Sequence, residues 1–278
     1  MRDFKRLWPI ILIAIIISKT NPTSAQSVQI DPITKAKLRV SYQLTYQPNK
    51  ENHEWKRERE VLLLIGEDIS QSLLKNLYIR DSIIRTTDFN TLIADLSIIP
   101  RISLYFQVFK NYPHGKVTTT NNIFTDFYIY EEDYGFMAWE LLEDTKEISG
   151  YTVNKAVTIY GGREWIAWFT KEVPFNDGPY KFHGLPGLIL QVYDSEKHYH
   201  FDFISLTPVE TTIIYFPTRT LIPVKREEYN RLAHKFREHP APTISMSTDG
   251  ALTETDLTVQ RINRNVSIEN NPIELKAD

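Results

Sequence analysis

The sequence predicts a mainly β protein: an antiparallel twisted sheet, sandwich or half-open barrel with one or two helices against it. Three observations lead there. Short segments that alternate apolar and polar residues recur through most of the chain. Turn residues punctuate them at hairpin spacing. Aromatic residues make up 12% of the 278, which suits pleated, half-buried surfaces.

Leu38, Val40, Tyr42, Leu44 and Tyr46 alternate with polar residues, the pattern of a strand buried on one face. Pro48-Asn49 closes it, and Trp55 to Ile65 is its expected antiparallel partner. Ser70 to Tyr78 and Phe89 to Leu96 read as short helical patches. Asp88 is the expected cap of the second and Pro100 its end. Ile102, Leu104, Phe106 and Val108 alternate again, and strands follow over Lys116 to Asn121, Phe124 to Tyr130 and Met137 to Leu142. Tyr151 to Tyr160 and Arg163 to Thr170 flank Gly161-Gly162, a strong hairpin signal. Leu188 to Ser195 and Tyr199 to Leu206 form a second hairpin through Asp194 to His198, and Thr211 to Phe216 is one more strand. Lys225 to His239 is the best helix, because Tyr229, Leu232, Ala233 and Phe236 recur at helical spacing before Pro240 and Pro242. One domain is expected over 26–243. Residues 244–278 are polar and poorly periodic, so an extended or loosely ordered tail is expected, with Pro272-Ile273-Glu274-Leu275 as its anchor.

Arg2, Lys5 and Arg6 precede the apolar run Ile10 to Ile17, and a polar stretch ends in Thr23-Ser24-Ala25. A basic start, an apolar run too short to span a bilayer and small residues at −3 and −1 predict a signal peptide over 1–25. Cleavage after Ala25 would leave a periplasmic or secreted chain with no transmembrane anchor. A membrane anchor, the alternative, would need a longer apolar run. The leader carries four Lys/Arg and one Asp, so its loss takes the net charge from −3 to −6. That mild acidity argues against nucleic acid and anionic membrane surfaces as partners. The absence of cysteine excludes a lipid anchor on cysteine, a disulfide framework and thiol chemistry. The apolar core must hold the fold unaided.

Asp177 to Asp194, DGPYKFHGLPGLILQVYD, concentrates three glycines, two prolines and a continuous apolar run. Asp177-Gly178-Pro179 and Gly184-Leu185-Pro186-Gly187 are turn signals. Leu188, Ile189, Leu190, Val192 and Tyr193 then read as a strand buried on both faces. The stretch is either a structural corner or a backbone-lined ligand site at Gly184, Leu185, Pro186 and Gly187. It lacks the strand-then-helix context of a phosphate loop. Gly184 to Ile189 resembles the signature of the GLPGLI family of secreted Bacteroidota proteins. The resemblance extends through Trp139 and Gly150 to Pro174, and to Asn271-Pro272-Ile273-Glu274-Leu275. It implies export and a mainly β fold, and it transfers no catalytic residues. Where many relatives carry a cysteine after Gly150-Tyr151, this chain has Val153.

Trp165-Ile166-Ala167-Trp168-Phe169 is large and apolar on both faces of a strand. It reads as a central buried strand, with Trp165 and Phe169 on one side and Ile166 and Trp168 on the other, or as a strand one of whose aromatic sets lines a site for a hydrophobic ligand, with Trp165 and Trp168 the candidate residues. His198, His200 and Asp202 fall at i, i+2 and i+4, on one strand face. They form either a solvated polar stripe or the start of a divalent-metal site, with His183 the nearest further ligand by sequence. No other cofactor is expected. Glu140, Glu143 and Asp144 could do acid–base work but read as solvated charges at a strand end. No zincin, nucleophile-elbow, Walker or dinucleotide motif occurs. The leading expectation is a non-catalytic envelope binding or accessory protein for a hydrophobic ligand or an outer-membrane or envelope protein partner. A metal-dependent envelope hydrolase and a structural envelope component are the alternatives.

Overall fold

A computed structural model describes residues 32–102, 104–248, 251 and 256–276. The expected leader lies outside the described residues. The mainly β prediction holds. The strands are β1 (Pro32–Lys35), β2 (Leu38–Tyr46), β3 (Arg57–Ile65), β4 (Ser70–Leu74), β5 (Gln107–Lys110), β6 (Lys116–Ile123) and β7 (Asp126–Asp133). After them come β8 (Glu140–Ile148), β9 (Tyr151–Tyr160), β10 (Arg163–Thr170), β11 (Leu188–Asp194), β12 (Tyr199–Pro208), β13 (Ile213–Tyr215) and β14 (Ile222–Pro223). The helices are α1 (Lys75–Thr86), α2 (Phe89–Ala94), α3 (Arg226–Glu238), α4 (Pro240–Ser247) and α5 (Leu257–Ile268).

Twelve strands form one sheet in the order β14-β7-β6-β5-β4-β3-β2-β12-β11-β10-β9-β8, and β1 pairs with β13 in a small second sheet. Only β14 runs parallel to its neighbour. The large sheet is strongly curled. β7 and β9 stand nine places apart, about 43 Å in a flat sheet at the usual strand spacing. Yet Tyr160 of β9 donates to Glu132 of β7 at 2.8 Å. The two ends therefore meet without pairing into a ring, and the result is a half-open barrel.

The concave face holds the main core, with Val40, Tyr42, Leu44, Val61, Leu63 and Phe201 among its fully buried residues. The loop from β10 to β11 folds into that concavity. Tyr180, Lys181 and Phe182 are 2%, 0% and 0% exposed. Tyr180 N–H donates to Ser72 Oγ at 2.8 Å. Phe182 packs against Trp165, centroid to centroid 4.6 Å, and its full burial stabilises by about 1.5–3 kcal/mol. A smaller cluster of Ala36, Leu62, Leu64, Leu73, Phe109 and Ile214 lies between the small sheet and the convex face. Helix α3 sets Tyr229 and Ala233 against Ile123, Tyr128 and Tyr130.

Several elements differ from the sequence expectation. Ser70 to Leu74 is a fully buried strand paired on both edges, so sheet pairing overrides its helical pattern. Helix α1 begins only after it. Ile102, Leu104, Tyr105 and Phe106 lack the strand expected there, because β4 ends at Leu74 and pairing with β5 starts at Gln107. Pro240 opens a helix instead of only ending one, since a first-turn proline loses no hydrogen bond. The segment expected to be loose contains the end of α4 and all of α5, and its Asn271 and Glu274 are buried.

Candidate functional site

The hairpin β9–β10 sets the geometry. Its two-residue turn needs left-handed backbone at Gly161 and Gly162, with φ of 60° and 75°. A side chain at Gly161 would meet Glu274 Cγ at 3.0 Å. The missing Cβ lets residues 271–276 lie across the turn, where Leu275 N–H donates to Gly161 O at 2.6 Å. Arg163, just past the turn, clamps the same segment. It donates to Asn271 Oδ1 at 2.6 Å, Pro272 O at 2.7 Å and Ile273 O at 3.0 Å. Tyr199 Oη adds a bond to Asn271 O at 2.7 Å.

This clamp carries Glu274 into the concavity, where four charges meet. Lys181 Nζ reaches Glu132 Oε2 at 2.6 Å and Glu274 Oε1 at 2.7 Å. It also donates to Tyr160 Oη at 2.9 Å. Arg226 Nε donates to Glu274 Oε2 at 2.9 Å and lies 3.2 Å from Glu132 Oε1. Tyr180 Oη donates to Glu274 Oε1 at 2.6 Å. Burial alone would raise the Glu274 carboxyl, but Lys181 and Arg226 outweigh it and hold its pKa at about 2. Burial would likewise lower the Lys181 ammonium, but Glu274 and Glu132 hold it above its ordinary value. Glu274, Lys181 and Arg226 thus stay ionised together. A carboxyl held this low cannot serve as a general acid near neutral pH.

Above the network opens a groove of about 890 Å³ along the seam between β7 and β9. Tyr130, Glu132, Tyr160 and Arg226 form its floor, and Phe136, Ile159, Pro223 and Val224 contribute apolar wall. Ile159 is 78% exposed. Lys116, Ile129, Glu131, Asp133, Lys225 and Glu227 complete the lining.

The sequence-predicted residues fall elsewhere. Trp165 is 1% exposed, with its indole N–H on Tyr160 O at 3.0 Å, and belongs to the core. Trp168 is 8% exposed, and Lys146 Nζ lies 4.1 Å from its ring centroid. Their strand, β10, is paired on both edges by β9 and β11 and lies two places from the β8 end of the sheet. Gly184 and Pro186 are exposed, whereas Leu185 and Gly187 are buried. Gly187 has φ 144°, and a side chain there would overlap the Thr170 carbonyl. The turn is therefore a close crossing of two backbone segments.

His200 Nε2 and Asp202 Oδ1 come within 3.1 Å, but His198 does not join them. It sits in the turn before β12, 3.1 Å from Glu196 and 3.9 Å from Asp194. Asp194, Glu196 and His198 offer atoms within 4.8 Å of one another. Arg163 occupies that spot: its Nη1 donates to Asp194 Oδ2 at 2.8 Å and lies 3.2 Å from His198 Nδ1. A guanidinium in contact with two of the three donors opposes a metal cation. His183 is buried apart from them, stacked on Tyr134 at 4.5 Å, with Gly135 N–H donating to its Nε2 at 3.3 Å. Glu140, Glu143 and Asp144 lie exposed on β8, the terminal strand of the sheet, where charge blunts a free edge.

Another buried ion pair ties β5 to the loop from β10 to β11. Lys110, 2% exposed, pairs with Asp177 and donates to Gly178 O at 2.5 Å. Sequence reasoning missed Lys110, Glu132, Lys181 and Arg226 as a group. The one local signal was a lysine inside an otherwise apolar, turn-rich stretch.

A family model described as "Protein of unknown function (Porph_ging)" matches residues 161–191. That segment holds the Gly184 to Ile189 signature; the resemblance around Trp139 and at Asn271 to Leu275 lies outside it. No curated protein sequence matches the chain. Among solved structures, one described as "Structure of PNGF-II in P21 space group" is 14% identical with a TM-score of 0.46. It aligns over 71% of this chain and 33% of its own. "Structure of PNGF-II in C2 space group" is 12% identical with a TM-score of 0.48, over 71% and 32%. The chain thus spans about a third of the length of these structures.

Proposed function

We propose that the protein is a non-catalytic binding or accessory protein of the cell envelope, exported behind a leader cleaved near Ala25, and that it takes an extended segment of a protein partner in the β7–β9 groove. The groove carries this reading. Its volume lies in the range of ligand sites, about 300–1,000 Å³, and its floor is polar and already neutralised. The wall offers Ile159 and Val224 to an apolar side chain, and the rim carries both signs of charge. The barrel interior is less suited to a hydrophobic ligand, because Tyr180, Phe182 and Trp165 fill it. The metal-hydrolase alternative would require a cation to displace Arg163 from Asp194 and His198.

Native mass spectrometry of the mature protein purified from the periplasm tests the proposal. A retained mass of peptide or protein size, lost in Ile159→Arg with an unchanged melting midpoint, is the expected result. A bare polypeptide mass, or retention that Ile159→Arg does not affect, would overturn the groove assignment.

A further inference from the structure

Away from the groove, a second group of polar side chains lies against the convex face of β5 and β6. Arg80 and Asp81 come from α1, Gln107 from β5, Thr120 from β6, Tyr105 from the segment entering β5, and Arg219 from the segment after β13. Gln107 and Thr120 are cross-strand partners. Gln107 Nε2 donates to Asp81 Oδ2 at 3.0 Å, and Arg219 Nη2 to Asp81 Oδ1 at 3.3 Å. The Arg219 guanidinium lies 4.4 Å from the Phe127 ring centroid and 5.3 Å from that of Tyr105.

The group is short of partners. Gln107, Thr120 and Tyr105 are 1%, 0% and 6% exposed. Among the described residues, Arg80 Nε and Gln107 Oε1 have no hydrogen-bond partner, and the Tyr105 and Thr120 hydroxyls have none but each other. Buried polar groups are normally satisfied. Charge is unbalanced in the same place, because two guanidiniums face one carboxylate. Burial and the charge of Arg219 both disfavour the charged form of Arg80.

We infer that Arg80, Tyr105, Gln107, Thr120 and Arg219 form a binding site for a small oxyanion, a phosphate or carboxylate group. Arg80 Nε–H lacks an acceptor, the Tyr105–Thr120 hydroxyl pair has one proton to spare, and the excess positive charge selects an anion. Gln107 Oε1 accepts the O–H of a monoprotonated phosphate, or a hydroxyl that turns toward it. The Arg219 side chain is 22% exposed and forms the outer wall. The site shares no residue with the groove, so each can fail without the other.

Thermal denaturation of the mature protein in sodium phosphate at constant ionic strength tests this. The midpoint should rise by about 3–6 °C for each tenfold increase of phosphate above its Kd. Arg219→Met should abolish the rise. Thr120→Val, which removes one of the two paired hydroxyls, should reduce it. A parallel series in sodium acetate separates the sources: a rise confined to phosphate assigns a phosphate group, and one confined to acetate a carboxylate. No rise with either anion, or one of equal size in the variants, would overturn the inference. Should Arg219→Met fail to fold, Thr120→Val decides alone.

Discussion

Replacing Glu274 by glutamine removes one of two carboxylates from a network that also holds two cations. Lys181 is fully buried and would be left with Glu132 as its one charged partner, which it shares with Arg226. Breaking a buried ion pair from one side costs about 3–5 kcal/mol. Glutamine keeps the side-chain volume, and its carbonyl still accepts from the Tyr180 hydroxyl now on Glu274 Oε1. We therefore expect the lower end, about 3 kcal/mol, or a midpoint drop of about 6–12 °C for a chain of this size. Urea titration should show a lower midpoint with an unchanged slope. A double-mutant cycle with Lys181→Met supplies the control, because removing one charge of each sign should cost less than the sum of the single changes. A loss below about 1 kcal/mol, or additive effects in the cycle, would refute the claim that these charges hold one another in place.

The same carboxylate predicts a pH profile. Its folded pKa, about 2, is below the ordinary 4.5, so its contribution is complete above 4.5 and is lost as pH falls toward 2. Glu274→Gln should flatten the stability curve in that window. Burial and the charge of Lys110 depress the His183 pKa below 6.5. The neutral ring is the folded form, so stability should decline as pH falls below about 6.5. His183→Gln should remove that upper phase and leave the lower one, as chemical denaturation at stepped pH would show. Gly187→Ala should cost at least about 3 kcal/mol, through its overlap with Thr170 O and a φ of 144°. Gly184→Ala should cost only about 1–2 kcal/mol, because its φ is 90° but the space around it is open. Comparing the two urea midpoints checks both, and equal losses would contradict the close-crossing reading.

The parts of this molecule that were legible in the sequence are those governed by neighbours in the chain. The Gly161-Gly162 turn and its two strands follow from local chemistry, as does the Lys225 to His239 helix, observed over Arg226–Glu238. The doubly apolar Trp165 to Phe169 run marks an interior strand, paired on both edges. The Tyr199 start of β12 follows from the hairpin pattern and leaves His198 in the turn, so the i, i+2, i+4 spacing of His198, His200 and Asp202 does not by itself put the three on one strand face. The charge network was invisible for a different reason. Glu132, Lys181, Arg226 and Glu274 come from a strand, a loop, a helix start and a terminal segment, with no shared period. Only curling of the sheet brings them together. Ser70 to Leu74 shows the converse, a local pattern overruled by neighbours on both edges.

The clamp on residues 271–276 also orders the events of folding. Glu274 follows Tyr180 by 94 residues and Tyr160 by 114. At about 5–20 residues per second of synthesis, the first interval lasts about 5–19 s. Throughout it, the Lys181 side chain lacks one of its two carboxylates, and Arg226 does too once it emerges. The concave core therefore stays expensive to close until the acidic residue arrives. The four charges are complete only after that late segment docks against Arg163 and the Gly161 turn.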